Sequence, residues 1–257
     1  MVTKMENLTS RGNPICVHMK KLGANRSYRE QCGQFLCDGE KLLFEALEGG
    51  VEIEAVLSVS NLGFDLPSGV RLFSAQKSLI DSISPLKNTS GVLFSCRMPM
   101  AEKADVGVGV HVLLDSIQDP GNVGTLIRSA YAFGAGSVML TEGSADIYNL
   151  KTIRASMGTV FHQRVFSVEL SELCGFKKSG VKFIGTANDE SSVDVRNLSP
   201  GDFIFVLGNE GQGISAELLE LCDEMIRIPL SAKCESLNVA IAGSIIMWEM
   251  SLPAKNP

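Results

Sequence analysis

Between His111 and Pro229 short apolar runs recur, each followed by small or polar residues: Val112–Leu114, Ser137–Thr141, Val181–Thr186, Phe203–Leu207 and Met225–Pro229. Runs this short and this continuously apolar suit strands buried on both faces, the situation of a parallel sheet. Helical patterns separate most of them, so the chain reads as an α/β sheet covered on both sides. Sheets of this kind bind ligands beyond the carboxyl ends of their strands. The residues just after each run are therefore where chemistry is expected.

The N-terminal part has a different rhythm. Residues 34–98 read as a small α/β unit, with a strand at Gln34–Asp38 and Asp38 placed to cap a helix over Glu40–Leu47. Gly49-Gly50 ends that helix, Val51–Val59 alternates as a strand, Ala75–Ile83 reads as a helix, and Gly91–Cys96 as a buried strand. Residues 99–109, containing Pro99, Gly107 and Gly109, form the expected linker to a second domain at 110–257. Ahead of both, residues 1–33 read as a basic arm in which Lys4, Arg11, Lys20, Lys21, Arg26 and Arg29 face only Glu6 and Glu30.

A net charge of −6 is awkward for a protein that handles phosphates, because such contacts are driven by Lys and Arg. A basic arm on an acidic body is compatible with RNA, and a solvated tail explains the arm equally well. A hydrophobic fraction of 45% with 20% charged residues argues for a packed globular chain. No apolar run approaches the roughly 20 residues a membrane-spanning helix requires. The N-terminus lacks the apolar core of a secretory signal and is short for a transit peptide. The 7 cysteines are dispersed without a C-x-x-C pair, and with 3 histidines a zinc site has poor support. Such a set fits reduced thiols inside a cell, most of them serving as small core hydrophobes.

Three stretches fall where strands give way to helices. The first is Asp119-Pro-Gly-Asn122-Val-Gly124 with Arg128. Alone it would be a turn and an N-cap; Val123, Leu126, Ile127, Ala130 and Tyr131 form an apolar stripe that points Arg128 away from the core. The second, Gly208-Asn-Glu-Gly-Gln-Gly213, lacks the Lys and Ser/Thr of a nucleotide P-loop, since Ile214 follows, and does not fit G-x-G-x-x-G. The third joins Ile228-Pro229 to Ser236-Leu-Asn238-Val-Ala240, where Ser236 could cap a helix running to about Met250. An asparagine inside so apolar a helix would need hydrogen-bond partners. That helix carries a stripe at Leu237, Ala240, Ile241, Ile245 and Trp248, with Val239, Ala242, Ile246, Met247 and Met250 on its other faces. It must be buried on more than one side, deep in the monomer or against a second copy.

Taken in order, these stretches resemble the signature motifs of the SpoU (TrmH-type) RNA methyltransferases of the SPOUT superfamily, over about residues 107–252. Lys151-Thr-Ile-Arg154-Ala-Ser-Met-Gly158 is similar to a segment common between the first two motifs. The resemblance implies a SPOUT-type parallel sheet with a C-terminal trefoil knot, preceded by a small α/β ribosomal-protein-like RNA-binding domain. It implies methyl transfer from S-adenosylmethionine to a ribose 2′-hydroxyl of rRNA or tRNA by a homodimer formed through the catalytic domain, with no metal. In that reading Asn122, Arg128, Glu210, Ser236 and Asn238 are catalytic. Thr186, Ala187, Leu207, Gly208, Asn209, Gly211, Gly213, Ile228, Pro229 and Leu237 bind the cofactor, and Thr186-Ala187-Asn188 borders its pocket. Lys20, Lys21, Arg26, Arg29 and Arg154 contact RNA. Arginine is a poor base in water, so stabilising a developing oxyanion is as good a role for Arg128 as removing the hydroxyl proton. Two alternatives stay open: a SPOUT enzyme that methylates a base, and a non-catalytic RNA-binding relic. The expected setting is soluble and intracellular, in the cytoplasm or in a chloroplast or mitochondrion.

Overall fold

The computed structural model describes residues 6–100, 104–187, 189–199, 201–231 and 233–251. The chain divides into two compact units, Met1–Met100 with Tyr148–Phe161, and Ala101–Ile147 with His162–Pro257. The division falls inside the expected linker, but the second domain is not continuous, because Tyr148–Phe161 belongs to the first unit.

In the first unit the elements are β1 (Glu6–Leu8), α1 (Pro14–Ala24), α2 (Arg26–Cys32), β2 (Gln34–Asp38), α3 (Glu40–Glu48), β3 (Ile53–Ser58), β4 (Arg71–Ala75), α4 (Lys77–Ile83) and β5 (Val92–Arg97). The sheet runs β1-β4-β3-β5-β2, with β5 antiparallel to β2 and β3 and the other pairs parallel. Ile15, Cys16, Met19 and Leu22 of α1 pack with Leu79, Ile80 and Ile83 of α4 in one core. Leu42, Leu43 and Ala46 of α3 build another with Phe35, Val56 and Phe94.

Several expectations are corrected here. Residues 14–32 are not an arm but two helices: Asn13 caps α1 through Ile15 N (3.0 Å), and Asn25 caps α2 through Tyr28 N (3.0 Å). Lys20, Lys21 and Arg26 stand on the exposed faces of these helices, while Ile15, Cys16, Met19 and Leu22 are buried. Lys4 lies outside the described residues. Asp38 does not cap α3, whose N-cap is Gly39; its Oδ1 accepts from Ser90 N (3.0 Å) and Ser90 Oγ (2.7 Å). Ala75 ends β4, a strand the sequence reading missed, and α4 starts at Lys77.

The second unit contains β6 (Val110–Leu114), α5 (Pro120–Ala132) and β7 (Ser137–Leu140). The next helix, α6 (Leu150–Ser156), is part of the first unit, where Leu150 and Ile153 enter the two cores. The second unit resumes with β8 (Val165–Ser167), α7 (Leu170–Lys178), β9 (Lys182–Thr186), β10 (Val193–Asp194), β11 (Phe203–Leu207), α8 (Ala216–Leu219), β12 (Glu224–Arg227) and α9 (Val239–Ser251). Its sheet, β10-β12-β9-β11-β6-β7-β8, is parallel throughout. Leu173 of α7 and Leu218 of α8 cover one face with Leu113, Met139, Ile204 and Val206. Successive strand residues face opposite ways, so Leu207 points to the other side. There a side chain at Gly243 of α9 would lie 2.6 Å from Leu207 Cδ1 and 2.5 Å from Leu126 Cδ2 of α5, so any larger residue would force those buried leucines to shift.

Helix α9 departs from expectation in an informative way. Its buried residues are Val239, Ala240, Gly243, Ile246 and Met247, whereas Ile241 and Trp248 of the predicted stripe are 53% and 50% exposed. Tyr131, assigned to the apolar stripe of α5, is also exposed, while Val123, Leu126, Ile127 and Ala130 are buried.

Candidate active site

A cavity of about 460 Å³ lies at the carboxyl ends of β9, β11 and β12. Thr186 and Ala187 contribute from the end of β9, Leu207, Gly208, Asn209, Glu210 and Gly213 from the end of β11, and Ile226, Ile228 and Leu230 from β12 and its continuation. Ser236, Leu237, Asn238, Val239, Ala242 and Ile246 close it. Of the residues expected to hold a cofactor, Gly211 and Pro229 do not line it, and Asn188 lies outside the described residues. Leu230 lines it too, in the Ile228–Leu230 stretch whose backbone the family resemblance assigns to the cofactor; sequence reasoning missed Ile226, Val239, Ala242 and Ile246, because apolar residues next to a motif look the same whether they face a core or a ligand.

The loop after β11 closes on itself. Asn209 and Gly213 exchange backbone hydrogen bonds of 2.9 Å each way, and Asn209 Oδ1 accepts from Gly211 N (2.9 Å) and Gln212 N (3.2 Å). Gly213 takes φ +73°, and a side chain at Gly208 would overlap the Gly213 and Ile214 backbone. The need for glycine at 208 thus comes from the loop itself. Asn209 Nδ2 then donates to Ser116 O (2.8 Å) across from the end of β6.

Asp115, the residue that follows β6, anchors the far side of this loop. Its buried carboxylate accepts from Ser215 N through Oδ2 (2.7 Å) and from Thr141 Oγ1 through Oδ1 (3.2 Å). Ser116 next to it holds φ 54°, a left-handed conformation that costs of order 1–3 kcal/mol in a non-glycine residue. That strained turn presents the carbonyl which Asn209 grips. The only signal in the sequence was an aspartate directly after an apolar run.

Three of the five expected catalytic residues form a chain of hydrogen bonds. Asn238 Oδ1 accepts from Ala240 N (2.9 Å) and Ile241 N (3.3 Å), so Asn238, and not Ser236, caps α9. It is exposed at the helix start, not buried within it. With Oδ1 so used, Asn238 Nδ2 donates to Asn122 Oδ1 (3.1 Å), and Asn122 Nδ2 donates to Glu210 Oε1 (2.8 Å). One cap therefore sets the orientation of both amides. All donors point toward Glu210, an arrangement in which each bond polarises the next. Asn122 is brought there by α5, which starts earlier than expected, at Pro120, with Asp119 as its cap (Oδ1 to Asn122 N, 2.9 Å).

Ser236 lines the cavity, but Arg128 does not. Six residues after Asn122, it lies about 9 Å further along α5 and about 120° around it. Arg128 is exposed and makes no hydrogen bond or ion pair among the described residues. The residues assigned to RNA scatter within the first unit. Arg29 is 3% exposed and its Nη1 donates to Leu22 O (2.7 Å), which removes it from any surface. Arg26 pairs with Glu30 (2.8 Å), and the Arg154 Nη1 donates to Asn88 O (3.2 Å). Lys20 and Lys21 are exposed.

Residues 109–248 match the model of the SpoU rRNA Methylase family. The chain belongs to the SpoU family. The 23S rRNA (guanosine(2553)-2′-O)-methyltransferase RlmP of Bacillus subtilis is 33% identical over 249 residues, 96% of this chain and 99% of that one. A putative TrmH-family RNA methyltransferase from Porphyromonas gingivalis superimposes with a TM-score of 0.84 at 29% identity, covering 95% and 98% of the two chains. An AdoMet-bound rRNA methyltransferase from Sinorhizobium meliloti gives a TM-score of 0.83 at 26% identity, over 96% and 97%. Both structural likenesses extend through the N-terminal unit as well as the SpoU part. No helix among the described residues is long and apolar enough to cross a membrane.

Proposed function

We propose that this SpoU protein transfers the methyl group of S-adenosylmethionine to a ribose 2′-hydroxyl of large-subunit ribosomal RNA. The observation that carries the reading is the chain Asn238–Asn122–Glu210 at the mouth of the strand-end cavity. The cavity lining suits the cofactor: its one charged side chain is Glu210, with no Lys or Arg. That composition attracts a cation and offers nothing to the phosphates of a dinucleotide or nucleoside triphosphate. Apolar side chains from Ile226 to Ile246 would hold the adenine, and the Gly208–Gly213 loop would hold the polar end. Bound there, S-adenosylmethionine supplies a methyl group already activated on a sulfonium. The protein's remaining task is to align a weak nucleophile and support the charge it develops. Glu210, fixed by Asn122, sets the site's polarity at the cavity mouth; Ser236 offers a hydroxyl on the same wall. Arg128, without a hydrogen bond or ion pair among the described residues, supplies positive charge for the oxyanion or the adjoining phosphate.

The ribosomal assignment is supported by the RlmP likeness, which spans nearly the whole of both chains. The trefoil knot, the RNA-binding role of the first unit and an intracellular setting belong to the same reading. So does a homodimer: Ile241 and Trp248 border a hollow of about 280 Å³ with Thr125, Ala240, Ser244 and Ile245, a face of α5 and α9 that a second copy would cover. The test is transfer of labelled methyl from S-adenosylmethionine to ribosomal RNA by the native protein and by Arg128→Ala, followed by nuclease digestion. Label in a 2′-O-methylated nucleoside, lost in the variant, is the expected outcome. Label on a base, or cofactor binding without transfer to any RNA, would refute the proposal.

A further inference from the structure

The first unit contains a cavity of its own, of about 540 Å³, between α1, the α1–α2 junction and the end of α4. That lies within the roughly 300–1,000 Å³ typical of small-ligand pockets. Arg11, Lys20 and Lys21 line it, and no acidic side chain does. Other cations of the same stretch are used internally, Arg26 on Glu30 and Arg29 on the Leu22 carbonyl. Arg11 and Lys20 have no ion pair or hydrogen bond among the described residues, and Lys21 rests its ammonium 5.3 Å from the Tyr28 ring centre. Three like charges gathered at one hollow of a chain of net charge −6 repel one another unless an anion joins them.

The rest of the lining says more about that anion. Cys16, Val17 and Ile83 make an apolar wall. Beside it stand Asn25 and Ser82, each with half its hydrogen-bonding capacity committed. Asn25 Oδ1 caps α2 at Tyr28 N, which leaves its Nδ2 to donate; Ser82 Oγ donates to Leu79 O (2.7 Å), which leaves its lone pairs to accept. An apolar wall in which Val17 is 40% exposed over the buried Cys16 and Ile83, with one donor and one acceptor beside it and three cations next to it, matches a nucleotide whose base is out of a helix. Unpaired nucleotides are the usual targets of specific RNA recognition.

We propose that this cavity holds one unpaired nucleotide of the RNA, with its phosphates on Arg11, Lys20 and Lys21 and its base against Val17 and Ile83. The proposal rests on the RNA-methyltransferase reading above, and it adds a site remote in sequence from the SpoU motifs. The experiment compares binding of a short unstructured RNA oligonucleotide, and of the same sequence as a duplex, to the full-length protein over a range of salt. The variants are Arg11→Ala/Lys20→Ala/Lys21→Ala and Ala24→Trp, the latter filling the cavity from its rim without changing charge. The triple variant should lower the slope of log affinity against log salt by about 1.4, at roughly 0.7 for each of the two phosphates that flank one nucleotide of a single strand. Ala24→Trp should weaken the single strand several-fold with the slope unchanged. Affinity for S-adenosylmethionine should stay native in both, which also shows that they fold. Equal loss for duplex and single strand with no effect of Ala24→Trp would overturn the proposal, leaving a general phosphate surface. Native affinity in every variant of an enzyme that still methylates RNA would overturn this proposal alone. A native protein that neither binds nor methylates RNA would overturn both readings.

Discussion

Asn238 performs two tasks with two atoms, and substitution can separate them. Its Oδ1 caps α9, while its Nδ2 orients Asn122 toward Glu210. Asn238→Ala removes both functions. Loss of an N-cap costs about 1 kcal/mol, which lowers the melting temperature of a chain this size by roughly 2–4 °C. Asn238→Asp retains the cap, and its charge at the helix N-terminus adds about 0.3–1 kcal/mol. It also sets a carboxylate oxygen against Asn122 Oδ1. Asn122 then turns its amide over and presents an oxygen to Glu210, losing a hydrogen bond to a charged group worth about 1.5–3 kcal/mol. If that bond acts fully in the transition state, turnover falls roughly ten- to hundred-fold, since 1.36 kcal/mol is one decade. The assay pairs methyl transfer at saturating substrates with thermal unfolding followed by the fluorescence of Trp248, the single tryptophan, which lies on α9 itself. The Asn122–Glu210 bond is exposed in the resting enzyme and adds at most about 1 kcal/mol to folding, which the helix-dipole gain offsets, so Asn238→Asp should melt near the native temperature and be nearly inactive, while Asn238→Ala should lose both. Native turnover in Asn238→Asp would refute a catalytic role for the chain; melting as low as Asn238→Ala would refute the cap.

Asp115→Ala should release the loop after β11, weakening S-adenosylmethionine at least tenfold in titration calorimetry, since two hydrogen bonds to a buried charge at about 1.5–3 kcal/mol each are lost. Unchanged cofactor affinity would show that the loop holds its shape alone. Glu210→Gln keeps an oxygen to accept from Asn122 and removes only charge; cofactor affinity should fall a few-fold, about 0.5–1 kcal/mol for an exposed pair, while RNA affinity rises. A fall in both would contradict the electrostatic reading of the cavity mouth. His111, 3% exposed, donates from Nε2 to Gly107 O (3.1 Å) and accepts at Nδ1 from Ser137 Oγ (2.8 Å), a neutral ring whose burial holds its pKa below the usual 6.5. The unfolded state binds the proton first as pH falls, so His111's contribution to stability is full above about 6.5 and is lost below it. Urea unfolding from neutral to mildly acidic pH should show this slope, reduced in His111→Gln; equal slopes would disprove it.

The parallel sheet was legible because strands buried on both faces carry a signal that survives without partners. Phe203–Leu207 has the expected bounds, and so, in the other sheet, does the antiparallel strand Gln34–Asp38, four of whose five residues are buried. The edge strands β1, β8 and β10 carry no such signal because they span only two or three residues, and the interior strand β4 begins on exposed Arg71, which breaks its apolar run. The motifs located Asn122, Glu210 and Asn238, but not how they connect. Linear spacing cannot reveal that the amide of residue 238 caps a helix with one atom and reaches residue 122 with the other. Nor does a count of cations show which are spoken for: Arg29 and Lys20 look alike in sequence, yet one is buried on a carbonyl and the other lines a cavity.

That distinction explains how so acidic a chain can work on RNA. The strand-end cavity has to attract a cationic cofactor, and it carries a carboxylate and no cation. The same carboxylate would repel a phosphate brought next to the methyl group. Two features limit the conflict. Glu210 sits at the receiving end of donors that begin at the α9 amides, so the positive end of a helix is relayed to it and part of its field is cancelled. The charges that would engage RNA stand on other surfaces, Arg128 on the open side of α5 and Arg11, Lys20 and Lys21 in the first unit. Exposed charges are screened within roughly 8 Å at physiological ionic strength, so a polyanion responds to the wall it touches and hardly at all to the sum of −6. Keeping the two signs on separate walls lets one enzyme admit both a cation and a polyanion.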